Sequence, residues 1–132
     1  MKLYLSAQYA RRAEVEAAAK LLRQYPRVEV VSTWHDEPNE AADAAIMDAS
    51  PGEREHYARL CLSEIKDADI FVAFMEAQGF MSRGGRHIEA GYAMGRGKHL
   101  VAIGAIESMF YELADEGYDS IAQWAEGVVR FW

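Results

Sequence analysis

The segment Asp69-Ile70-Phe71-Val72-Ala73-Phe74 constrains the fold more than any other part of the chain, because it is apolar almost without interruption over the length of one strand. A strand without polar alternation is covered on both faces, as at the centre of a parallel sheet with helices on either side. The flanking pattern fits that placement. Lys2 to Ser6 reads as a short apolar, aromatic strand, and Ala, Leu, Glu and Arg follow at helical spacing from Ala10 to Arg23. Val28 to Ser32 is rich in β-branched residues and follows Tyr25-Pro26, where a helix must have ended. Thr33 to Ser50 lacks a period and predicts a long loop with a short helix over its alanine-rich second half, after which Pro51 opens a helix reaching about Lys66. Ile88 to Met94 predicts a helix stopped by Gly95-Arg96-Gly97-Lys98, Leu100 to Ile103 a strand, and Asp119 to Val129 a last helix. Strands alternating with helices predict an α/β fold: one Rossmann-like (flavodoxin-like) domain over residues 1–132, its sheet mainly parallel, with helices on both faces and ligands at the carboxyl ends of the strands. A chain of 132 residues without internal repeat or linker has room for that one core.

Charge and cysteine content narrow the partners. Lys and Arg total 14 against 21 acids, a formal charge of -7, which disfavours a nucleic acid polymer as partner and leaves a small, locally held phosphate as the form of anion to expect. Cys61 is the only cysteine, so an internal disulfide and a multi-cysteine zinc site are excluded, and neither metal nor cofactor is expected. The longest apolar stretches, Ile70 to Met75 and Leu100 to Ile106, fall far short of the ~20 residues that cross a bilayer. Leu3-Tyr4-Leu5 gives way to Arg11, Arg12 and Glu14 without the long apolar region of a signal peptide, so no membrane partner and a cytoplasmic location are expected.

Two glycine clusters invite a phosphate reading. Gly95-Arg96-Gly97-Lys98 follows a helix and precedes a strand, the reverse of the order that sets phosphate on a helix N-terminus, and reads as a helix C-cap. Ser82-Arg83-Gly84-Gly85-Arg86 follows the best-defined strand and leads into a helix, so its amides can hold an anion with Arg83 or Arg86 adding charge; an exposed loop with solvated arginines is the other reading. His87-Ile88-Glu89 matches the His-x-Glu of zinc deaminases, but the Pro-Cys-x-x-Cys they also require is missing. Glu89 is expected in the first turn of a helix that starts at the carboxyl end of a central strand, where a carboxylate either attacks an anomeric carbon or simply complements the helix dipole. Tyr4 is either a core aromatic or a hydroxyl facing the crevice. Trp34 and His35 follow the second strand, placed either to stack on a base and move protons or to anchor the loop by packing. Arg11 and Arg12 open the first helix, an unfavourable place for cations unless an anion visits, and otherwise read as surface charges.

Taken together, Tyr4-Leu5-Ser6-Ala7, Asp67-Ala68-Asp69-Ile70-Phe71-Val72-Ala73, the run from Ser82 through Glu89-Ala90-Gly91-Tyr92-Ala93, and Gly97-Lys98 resemble the nucleoside 2-deoxyribosyltransferase family over nearly the whole chain. The likeness is closest to small members of phage and actinobacterial type, and the chain is also similar to the 2′-deoxynucleoside 5′-phosphate N-hydrolases; Glu89-Ala90-Gly91 is the most specific element. The resemblance implies that Glu89 is a nucleophile that attacks C1′, expels the base and forms a glycosyl ester, which water or a second base resolves. It implies that Tyr4 orients Glu89, and that Ser82, with Arg11 or Arg12, lies where a 5′-phosphate is held. The substrate-binding set it suggests adds Ser6, Trp34, His35, Cys61, Arg83, Gly84, Gly85 and Arg86. The partners implied are a nucleotide or nucleoside and a second copy of the chain, as a homodimer or larger assembly completing the crevice; the apolar end Val128-Val129-Arg130-Phe131-Trp132 fits such an assembly.

Two positions depart from the family pattern. An aspartate usual eight residues before Asp69 is replaced by Cys61, whose thiol lacks a fixed charge. Arg83 stands where the nucleoside-transferring members carry an aspartate, six residues before Glu89, and the reversed charge favours an anionic substrate. The resulting expectation is a nucleotide N-glycosidase, a hydrolase, or else a deoxyribosyl-transferring enzyme; the alternative is a non-catalytic nucleotide-binding module of the same fold. His35, Asp36 and Glu76 are the candidates for the group that protonates the departing base.

Overall fold

A computed structural model describes residues 1–36, 49–77 and 84–132. Five strands and four α-helices are found among these residues, in one sheet. In chain order they are β1 (Lys2–Ser6), α1 (Arg12–Leu22), β2 (Glu29–Val30), α2 (Pro51–Asp67), β3 (Ile70–Phe74), α3 (Gly85–Gly95), β4 (His99–Ile103), β5 (Glu116–Tyr118) and α4 (Ile121–Gly127). The sheet order is β2-β1-β3-β4-β5 and every pairing is parallel, with Leu3 opposite Ile70, Ile70 opposite His99 and Val101 opposite Glu116. This is the α/β Rossmann-like architecture the sequence predicts.

Side-chain alternation sorts the core into two layers. Leu3, Leu5, Ile70, Val72, Phe74, Val101 and Ile103 face α1 and α4, where they meet Val15, Leu22 and Trp124. Tyr4, Phe71, Ala73, Leu100 and Ala102 face the other way, toward Ile65 of α2 and Ala90 and Ala93 of α3. All five residues of β3 are buried, the two-sided coverage its unbroken apolar run requires. In α1 the buried set Val15, Ala18, Ala19 and Leu22 follows helical spacing, so one stripe of the helix meets the sheet. Ser50 caps α2 by accepting from the amide of Glu53 at 3.3 Å, Pro51 occupies the first turn, and residues 51–60 are all exposed.

The boundaries differ from the sequence reading in specific ways. The first helix starts at Arg12 and is preceded by a 3-10 turn at Tyr9–Arg11. The second strand shrinks from Val28–Ser32 to Glu29–Val30, the two residues in register with β1, while Val31 and Ser32 keep single hydrogen bonds to Leu3 and Leu5. β5 and the 3-10 turn Met109–Leu113 are additions, and the last helix covers only Ile121–Gly127, with a 3-10 turn at Val129–Phe131. α3 begins at Gly85, since Gly84 at φ 87 turns the chain directly into it; Glu89 therefore lies in the second turn, not the first. Gly95-Arg96-Gly97-Lys98 ends α3 as a C-cap, Gly97 adopting φ 68. Residues 37–48 of the predicted long loop and residues 78–83, including Ser82 and Arg83, lie outside the described residues.

Candidate active site

In this strand order the connections leave β1 and β3 toward opposite faces of the sheet, so the carboxyl ends of these neighbouring strands open a crevice. Tyr4 of β1 lies opposite Phe71 of β3, and their rings stack at 5.6 Å with an 11° tilt. Both readings of Tyr4 hold at once: its ring is fully buried core, and its hydroxyl donates a hydrogen bond to Glu89 Oε2 from α3. Burial pushes the Glu89 carboxyl up to about 7; the Tyr4 hydrogen bond opposes that rise, and the charge of Glu64 on α2 adds to it. Burial, and then the charge of Glu89, hold the Tyr4 phenol protonated well beyond neutral pH, which keeps it a donor to the carboxylate.

Cys61 projects from α2 against the core layer that holds Tyr4. Burial, reinforced by the charge of Glu89, pushes its thiol up to about 11, so the group is a neutral thiol at physiological pH. One helical turn further along α2, Glu64 Oε1 accepts from the Thr33 hydroxyl at 2.5 Å and Oε2 from the Thr33 amide at 3.2 Å. Burial raises the Glu64 carboxyl above the ordinary carboxylate range. Glu64 was missed in the sequence reading; its only signal there is its spacing of one turn from Cys61.

Trp34 and His35 meet edge to face at 5.5 Å but bond different partners. Trp34 is half-buried beside β1, its Nε1 donating to the Leu5 carbonyl at 2.7 Å, with Tyr9 tilted against it at 6.0 Å. His35 is buried, with Nε2 2.8 Å from Ser32 Oγ and Nδ1 2.7 Å from Glu16 Oε2, while Ser32 Oγ accepts from the Leu5 amide at 3.1 Å. This Ser32-His35-Glu16 relay has both imidazole nitrogens engaged and ties β2's exit to α1. Glu16, His35 and Asp36 are close enough to share a cation, but Arg23 bonds both carboxylates, to Glu16 at 3.2 Å and Asp36 at 3.4 Å, and fills that role with its guanidinium.

At the carboxyl edge, Ser6 Oγ and Gln8 Oε1 are buried and find no hydrogen-bond partner among the described residues. Arg11 donates to the Met75 carbonyl at 2.8 Å and to Glu76 at 3.1 Å, and grips Glu14 at 2.7 Å; Arg12 lies over the Tyr9 ring. Glu76, buried and ion-paired with Arg11, and Asp36, exposed and paired with Arg23, are thus both committed elsewhere than to Glu89. Arg86 requires a correction: it lies inside α3, not before it, and its buried guanidinium is bidentate to Glu107, with Nη2 at 2.6 Å from Oε2. Gly84 and Gly85 stand at the α3 N-terminus.

The fold and this crevice define a single-domain, Rossmann-like α/β protein in which a buried tyrosine of β1 bonds a partly buried glutamate of α3. Among solved structures it is similar to the Clostridium botulinum CMP N-glycosidase BcmB, with a TM-score of 0.62 and 19% sequence identity over 98% of this chain and 98% of that chain. No family model matches the sequence, and no curated protein matches it. No helix among the described residues is long and apolar enough to cross a membrane.

Proposed function

We propose that the chain cleaves the N-glycosidic bond of a nucleoside 5′-monophosphate, with Glu89 as nucleophile and Tyr4 as the residue that orients it. The observation that carries this reading is the hydrogen bond from the buried Tyr4 hydroxyl of β1 to one oxygen of Glu89 on α3. It fixes the carboxyl group and leaves the second oxygen for C1′. Glu89 attacks as the carboxylate, and its charge also stabilises the oxocarbenium-like transition state that precedes the glycosyl ester. Water then attacks C1′ and releases the sugar phosphate; a second base in its place gives the transferase outcome. The likeness in fold to a CMP N-glycosidase supports the same reading.

Ser6 and the glycine-opened N-terminus of α3, with Arg83 and Ser82 preceding it, form the proposed phosphate side. The test is a panel of nucleoside monophosphates and their parent nucleosides, with released base measured by chromatography. Monophosphates are expected to be cleaved in preference to nucleosides, and Glu89→Gln to abolish release. Wild-type turnover by Glu89→Gln would overturn the nucleophile assignment, and equal use of nucleosides would overturn the phosphate site. The neutral Cys61 favours one second reading, a module that binds nucleotide without cleaving it, which calorimetric binding without base release would support.

A further inference from the structure

Glu89 is carried by a helix whose start is weakly specified by its own residues. Gly84 and Gly85 open α3 without a capping side chain, and the first turn holds no acidic residue to complement the helix dipole; it holds a cation, Arg86. The buried residues of α3 are Arg86, Ala90 and Ala93, spaced as one stripe, so Arg86 is its only buried anchor on the amino-terminal side of Glu89. The Arg86 side chain is 4% exposed, and both of its terminal nitrogens bond the carboxylate of Glu107, Nη2 lying 2.6 Å from Oε2. The next residue, His87, has Nδ1 3.0 Å from the hydroxyl of Tyr111, which is buried in the layer that also holds Tyr4, Ala90 and Ala93. Glu107 and Tyr111 both belong to the segment leaving β4, so one segment grips two consecutive residues of the first turn. Resting on the glycosidase reading, we propose that Glu107 is a positioning residue of this site: through Arg86 it fixes the first turn of α3, and with it the approach of Glu89 to Tyr4.

Arg86 precedes Glu89 by three residues, which makes the two neighbours on the helix surface. A shift or rotation of the first turn therefore moves Glu89 with it, while Tyr4 stays in place on β1, buried against Phe71. The hydrogen bond between Tyr4 and Glu89 tolerates little of that motion. Glu107 suits the task better than an apolar neighbour, because two side-by-side N–H···O bonds fix direction as well as distance. Its charge also balances the buried guanidinium and the positive end of α3. Burial opposes ionisation of Glu107, yet the Arg86 bonds hold its carboxyl below the ordinary carboxylate range, so the pair stays charged at neutral pH.

Glu107→Gln keeps the shape and one acceptor but removes the charge and one of the two bonds. On the best substrate of the panel it is expected to lower kcat by about 10- to 100-fold. Because this variant leaves a buried cation unbalanced, Arg86→Met combined with Glu107→Leu supplies a second arm, in which apolar side chains of similar length restore packing but not direction. The double variant is expected to match wild-type stability in urea and still show the loss in kcat. Carbon-detected NMR gives a readout that lowered stability alone does not move. The Glu89 carboxyl, which burial raises to about 7, is expected to titrate lower in both variants as water reaches it. Wild-type kcat in the double variant, a rise in KM alone, or an unmoved Glu89 would overturn the assignment. A wild type that releases no base from any substrate overturns the glycosidase reading itself, and the titration still decides whether Glu107 positions the Glu89 carboxyl group.

Discussion

A carboxyl group raised from its ordinary 4.5 to about 7 destabilises the folded chain wherever it must ionise, and Glu89 is such a group. The folded protein holds the Glu89 proton over a range in which the unfolded chain releases it, so wild-type stability falls as pH rises from about 4.5 to 7. Glu89→Gln is therefore expected to match the wild type near pH 4 and to exceed it above pH 7 by on the order of 3 kcal/mol, read from urea unfolding at both pH values. A gain in stability together with loss of base release marks a residue placed for reactivity, whereas a dipole-complementing carboxylate would lose stability on substitution. Of the residues that the structure joins by hydrogen bonds, Tyr4 and Glu89 were singled out in the sequence, although Glu89 lies a turn later in α3 than expected. Glu64 and the Ser32-His35-Glu16 relay were not. Their partners lie across the chain, Thr33 for Glu64 and Leu5 for Ser32, and no local spacing announces which face of a polar helix such as α2 will meet them. Arg86, expected to add charge to a phosphate loop, bonds Glu107 from the loop after β4, a partner that no local spacing shows.

Elements covered on both sides announced themselves, and edge elements did not. β3 is apolar through its length and β4 after His99, and both were read nearly to the residue, whereas β5, Glu116-Gly117-Tyr118, carries no hydrophobic pattern and joins β4 by its backbone and a Glu116-His99 side-chain bond. The start of α3 was placed too late because Gly84-Gly85 looks like loop, yet the positive φ of Gly84 is what lets the helix begin there. A second glycine has a comparable role at the carboxyl edge. Gly104, at φ 103, ends β4 and donates its amide to the Tyr118 carbonyl at 2.8 Å, and a Cβ on it would stand 3.3 Å from Met75 Cβ. Gly104→Ala is expected to cost about 1 to 3 kcal/mol in urea unfolding, from backbone strain and the crowding against Met75, with the circular dichroism of the folded state unchanged.

At the scale of the molecule, exposed apolar side chains gather around the outer end of α3: Ile88 projects beside His87, whose Nδ1 lies 3.0 Å from the Tyr111 hydroxyl, and Met109, Phe110 and Leu113 surround Tyr111 in sequence and are all exposed. The homodimer expected from the sequence would find its largest exposed apolar surface here, so light scattering at micromolar concentration is expected to give a dimer that Phe110→Glu with Leu113→Glu converts to monomer. A monomeric wild type would contradict it. The molecule is also unevenly held. Of α2, only Ile65 is buried, Cys61 and Glu64 are partly so, and residues 51–60 are all exposed. In helix-coil terms the anchored end supplies the nucleus, and the Ser50 cap and the Glu55-Arg59 pair at 2.7 Å help the outer turns to propagate from it. Propagation near unity lets such turns fray one residue at a time, so amide exchange should quicken steadily from Asp67 toward Pro51, and Ser50→Ala should accelerate it in the outer turns while leaving the amides around Cys61 and Glu64 as slow as before.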